Sequence, residues 1–99
     1  MFNGDKYITK GISATIPEFL QCTLWYSIET MSIKEKDYLQ VFELSEVIQD
    51  GKRKQKIIHS QEQPEFKEEF IITTKKPMTE KIYIIDDGSY STMLLASEY

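Results

Sequence analysis

Cysteine and histidine occur once each in the 99 residues, as Cys22 and His59. One cysteine allows no internal disulfide and no site built from several thiolates, and one histidine removes every two-histidine metal motif. The 4 glycines and 3 prolines are too few for a collagen-like or low-complexity chain, and a 40% hydrophobic content argues against wholesale disorder. No long apolar run exists: Ile82-Tyr83-Ile84-Ile85 and Met93-Leu94-Leu95-Ala96 are the longest, against the about 20 residues a membrane span needs. Positive charge is in deficit, with 12 Lys and Arg facing 16 Asp and Glu. A generic phosphate-backbone binder carries the opposite balance, so nucleic acid is a disfavoured partner. The start, Met1 to Lys6, lacks an apolar run behind a basic region and does not read as a secretory signal. A reduced, cytoplasmic setting is expected, with no cofactor, no metal and no membrane.

Alanine is scarce too, with two residues, whereas there are thirteen Ile and eleven Phe plus Tyr. Ile and aromatic side chains suit a pleated, half-buried surface, and the shortage of Ala disfavours a helix bundle. A chain of this size buries about 60% of its unfolded surface, enough for one core in a single domain over residues 1–99. The expected class is α+β, with one N-terminal helix packed on a mainly antiparallel sheet of about five or six strands.

Tyr7-Ile8-Thr9 reads as a short strand ended near Gly11, and Ile12 to Ile16 as a lead into Pro17. Pro17 suits a first helical position, with Thr15 and Ser13 as capping candidates. From there to about Met31, the residues Leu20, Leu24, Ile28 and Met31 recur at spacings of four, four and three, one face of a helix. Tyr38 to Leu44 is strand-like, and Asp50-Gly51 is a strong hairpin signal. A two-residue loop there sets Phe42 opposite His59, Leu44 opposite Ile57 and Val41 opposite Ser60, so Phe42, Leu44, Ile57 and His59 share a face. Further strands are expected at Phe66 to Ile72, Ile82 to Ile85 and, after the Asp87-Gly88 turn, Tyr90 to Ala96. A final helix from about Ser91 is the alternative for the last segment.

The helix has a second apolar stripe. Phe19, Cys22 and Tyr26 lie at spacings of three and four on roughly the opposite side, with Trp25 between the stripes. A helix apolar all round is buried on both sides. Tyr and Trp accept partial burial with a polar tip exposed, which favours slightly the reading that the chain's own strands or loops wrap this helix. The competing reading makes Phe19, Trp25 and Tyr26 a partner-binding surface, for another protein or in a homodimer, since aromatics are enriched at interfaces.

Catalytic candidates are few: His59, Glu62 and Asp86. An imidazole with a pKa near ~6.5 suits proton transfer. Residues three apart on a strand point to opposite faces, however, so Glu62 orients His59 only if the strand ends first. Beside Phe42 and Ile57, His59 reads foremost as a satisfied core or rim residue. Asp86-Asp87-Gly88 is accounted for by turn chemistry, and no Gly-rich phosphate cradle occurs. Cys22 among aromatics defaults to an inert small side chain. Lys52-Arg53-Lys54-Gln55-Lys56 is the one basic cluster, and lysines near a hairpin tip blunt a sheet edge.

The segments Tyr7–Ile12, Ile16–Gln21 with Leu24-Trp25, Asp37–Leu44, Ile57–Phe66 and Ile85–Ala96 together resemble a family of small proteins, a domain of unknown function of low-GC Gram-positive bacteria and their phages. The resemblance spans nearly the whole chain and implies a stand-alone bacterial or phage domain. It carries no catalytic residues. The residues favour a non-catalytic protein-interaction or regulatory module. The alternative is a small-molecule-binding protein or hydrolase with a cleft near His59.

Overall fold

The chain runs β1 (Asp5–Ile8), α1 (Lys10–Thr15), α2 (Glu18–Glu29), β2 (Leu39–Gln49), β3 (Lys52–Gln61), β4 (Phe66–Ile72), β5 (Glu80–Asp86) and β6 (Tyr90–Leu95), closing in a 3-10 turn, Ala96–Glu98. The structure is a computed structural model and describes all 99 residues. The six strands form one mixed sheet in the order β1-β6-β5-β2-β3-β4. All pairs are antiparallel except β1 with β6, where Asp5 to Ile8 run parallel to Tyr90 to Met93. The class is therefore α+β, with two helices rather than one and a parallel edge pair in the sheet.

Register follows from the hairpin. Asp50 and Gly51 take φ of 53° and 76°, the left-handed pair of a two-residue loop that matches the twist of its strands. Phe42 then pairs His59, Leu44 pairs Ile57 and Val41 pairs Ser60, as the loop length requires. The pairing continues outward, Phe42 to Ile82 on β5 and His59 to Glu68 on β4. The strands β2, β3 and β4 follow one another, and β5 returns beside β2. This is the Greek-key order, and residues 73–79 carry the chain from β4 past β3 and β2 to β5.

The sheet residues Phe42, Leu44, Ile57, Ile82, Ile84 and Met93 form one buried cluster with Ile12, Leu20, Leu24 and Ile28 of the helices. The first stripe of α2 is therefore the buried one. Two corrections concern its start. Pro17 caps α2 from outside with φ −58° and no side-chain hydrogen bond, and Thr15 and Ser13 belong to α1 instead. That short helix occupies the segment read as a lead-in. Six residues are too few to hold a helix by propensity. Thr9 caps α1, its Oγ1 accepting from Ile12 N at 3.3 Å, and Ile12 is buried. At the other end, Tyr90 to Leu95 is strand, so the alternative of a helix from Ser91 does not hold.

Three buried glutamines on the helix side of the sheet tie the long connections down. Gln55 Nε2 donates to the carbonyls of Ser45 (2.9 Å) and Met78 (3.0 Å), and its Oε1 accepts from Met78 N at 2.8 Å. Gln61 Nε2 donates to Glu35 O and Pro64 O, while its Oε1 accepts from Asp37 N. Gln40 joins this set through Asp37 O. Buried polar groups need such partners, and a glutamine offers up to four.

Candidate functional site

Two surfaces of α2 hold the candidate residues. On the outer side, Phe19 is 49% exposed and Tyr26 64% exposed, and Cys22 is an exposed free thiol. The expectation that this stripe lies beneath the chain's own strands is thus overturned: the side of α2 buried in the core is that of Leu20, Leu24 and Ile28. Trp25 stands between, packed against the core cluster, with the Lys6 ammonium 5.8 Å from its ring centroid. No helix is long and apolar enough to cross a membrane.

On the flank of α2 facing β3 and β4, a cleft of about 190 Å³ opens over His59, bordered by Thr23, Ser27 and Thr30 of α2 and by Glu68 of β4. His59 itself is 1% exposed. Its ring stacks on Phe42 at 4.3 Å and meets the Phe66 edge at 5.3 Å. Burial holds its pKa down from 6.5 to about 4, so the ring is neutral near pH 7. Its tautomer is fixed by a relay of amides. Gln40 Nε2 donates to Asp37 O and to Gln61 Oε1 (2.7 Å), which leaves Gln40 Oε1 as an acceptor. That oxygen lies 2.6 Å from His59 Nε2, so Nε2 carries the hydrogen and Nδ1 keeps a lone pair.

The three proposed catalytic residues are not gathered. His59 lies level with Phe42 and Ile82, whereas Asp86 is four residues further along β5, on the order of 13 Å along the sheet at ~3.3 Å per residue. Asp86 instead accepts from Phe2 N at 3.3 Å and ends β5, with its N–H on Tyr38 O. Glu62 follows the end of β3 and borders a separate groove of about 280 Å³ with Tyr38, Glu43 and Lys81, apart from the His59 cleft. The carboxylate that does share a face with His59 is its exposed cross-strand partner Glu68. Extending the hairpin register by one strand would have found it. Of the basic cluster, Arg53 pairs with Glu46 at 2.6 Å and Lys56 with Glu69 at 3.4 Å, and Gln55 is buried.

The profile of a family described as "Staphylococcal protein of unknown function (DUF960)" matches residues 5–98. The chain belongs to this family. The resemblance read from Tyr7–Ile12, Asp37–Leu44 and Ile57–Phe66 therefore points the right way, to a bacterial family whose function is not established. Among solved structures, the fold is similar to a crystal structure of a protein of unknown function from Enterococcus faecalis, with a TM-score of 0.73 and 24% identity. The similarity covers 97% of this chain and 91% of that one. No curated protein shows significant similarity to the chain.

Proposed function

We propose that this family member is a non-catalytic protein-interaction module whose docking face is the outer stripe of α2, formed by Phe19, Cys22 and Tyr26 with Trp25 at its margin. The observation that carries this reading is the exposure of Phe19 and Tyr26 on a helix whose opposite side is already buried in the core. Large apolar side chains grouped on one exposed helix face mark association surfaces. Catalysis has no comparable support, since His59, Glu62 and Asp86 lie apart. The occupant is an apolar helix or strand face of another protein, met in the bacterial cytoplasm, where Cys22 stays a reduced thiol. One domain spanning residues 1–99 presents this face, in keeping with a single sheet that uses strands from Asp5 to Leu95.

The test is the pair Phe19→Ser and Tyr26→Ser, which leaves Trp25 and the core in place. The double variant should keep the far-ultraviolet dichroism of the parent and lose the partner captured by a tagged copy from the native host. Undiminished capture would defeat the reading. Light scattering of the parent settles whether the occupant is a second copy, because a dimer that the same two substitutions dissolve puts self-association in place of a different partner.

A further inference from the structure

The cleft over His59 offers hydrogen-bond acceptors almost without a donor to match. Thr23 Oγ1 donates to Phe19 O at 2.9 Å, Ser27 Oγ to Thr23 O at 3.0 Å and Thr30 Oγ1 to Tyr26 O at 2.9 Å. A hydroxyl has a single hydrogen, so each of these presents only lone pairs to the cleft. His59 Nδ1 is an acceptor as well, because Gln40 holds the hydrogen on Nε2, and no side chain donates to it. This imidazole is almost wholly buried and borders the cleft. Glu68 adds a carboxylate that forms no ion pair, while Glu46 and Glu69 each have a basic partner. The rings of Tyr26 and Phe70 complete the lining.

Such a set repels anions, and it leaves a neutral ligand without the charge that Glu68 seeks. It matches a cation whose N–H groups point outward, with aromatic rings beside it for cation–π contact. Drug-sized pockets measure ~300–1,000 Å³; about 190 Å³ suits a single head group. We propose that this cleft binds a small organic cation bearing N–H donors, a guanidinium or a primary ammonium group. The cleft shares the Tyr26 ring with the docking face, but His59, Glu68 and Ser27 lie outside the outer stripe of α2, so substitutions at these positions test the cleft alone.

Methylguanidinium is the probe, titrated into the whole chain and followed by nuclear magnetic resonance. His59 is the only histidine, so its ring nitrogens give one unambiguous signal pair. Binding should move the Nδ1 resonance in the direction of an accepted hydrogen bond while Nε2 stays protonated. Methylurea, the neutral isostere, and tetramethylammonium, a cation without N–H, should each bind at least tenfold more weakly. Glu68→Gln, at an exposed position, should weaken methylguanidinium at least tenfold, and Ser27→Ala several-fold, both with the parent's dichroism spectrum. A short capped peptide carrying one arginine identifies the source. Tighter binding than methylguanidinium assigns the cation to a protein side chain, and equal or weaker binding assigns it to a free guanidine or amine. No Nδ1 shift, equal binding of methylurea or tetramethylammonium, or indifference to Glu68→Gln overturns the proposal.

Discussion

His59 is neutral in the folded chain because the sheet and Phe42 exclude water from it, and it regains its ordinary basicity on unfolding. Between pH 6.5 and about 4 the unfolded chain binds a proton that the folded chain refuses, so acidification draws the equilibrium toward the unfolded state. A difference of that size is worth roughly 3 kcal/mol across the window. The contribution is complete above pH 6.5 and falls away toward pH 4. Urea midpoints measured from pH 7 to 4.5 should decline steadily for the parent. His59→Gln removes this titration, so its midpoints should decline far less over the same range. The neighbours of this residue were partly legible in advance. Phe42 and Ile57 follow from the two-residue loop, since Asp50-Gly51 leaves only one register. Glu68 and the hydroxyls of Thr23, Ser27 and Thr30 belong to other elements, and no local spacing brings them to His59.

Among the elements, the connections escape a reading by periodicity. The stripe Leu20–Leu24–Ile28 is a 3.6-residue pattern, and it is buried where the pattern puts it. The helix α1 has no full period in six residues. It forms because Thr9 caps it and Ile12 is buried, and Thr9 three residues before Ile12 was its only sequence signal. The partnership of β1 with β6 joins residues 85 apart in sequence, Asp5 with Tyr90, and nothing local reports it. The same holds for Gln55, which looked like one polar residue in a basic run. Its amide holds the returning segment at Met78 and the strand at Ser45. Gln55→Leu keeps the volume and adds apolar surface, yet it strands the Met78 N–H and C=O. Each buried group without a partner costs about 1–3 kcal/mol. Chemical denaturation should therefore find the variant less stable by at least about 2 kcal/mol, and fast hydrogen exchange should appear at Met78.

The molecule as a whole is a slab of 43 × 29 × 20 Å, and its two chain ends are fastened together. The Glu98 carboxylate accepts from Thr9 Oγ1 (2.6 Å), Gly11 N (3.2 Å) and Leu95 N (2.8 Å). These bonds, the Thr9 hydroxyl foremost, hold its pKa below the ordinary 4.5. The sign follows: the fastening is intact above pH 4.5 and is lost as the pH falls through the lowered value. Glu98→Ala should raise the exchange rates of the Tyr7 and Ile8 amides and of the first turn of α1, with β2 and β3 unchanged. Equal protection of β1 in parent and variant would show that the ladder to β6 holds β1 alone.

The parallel edge pair also determines how the fold bears load. A tether drawn from Met1 and Tyr99 drags β1 and β6 in opposite directions along their common axis, so every rung from Asp5–Tyr90 to Ile8–Met93 is strained together. An antiparallel pair at the same place would open one rung after another, like a zip. A threading machine that grips either terminus of this protein meets the shear-resistant geometry first, before it reaches the core.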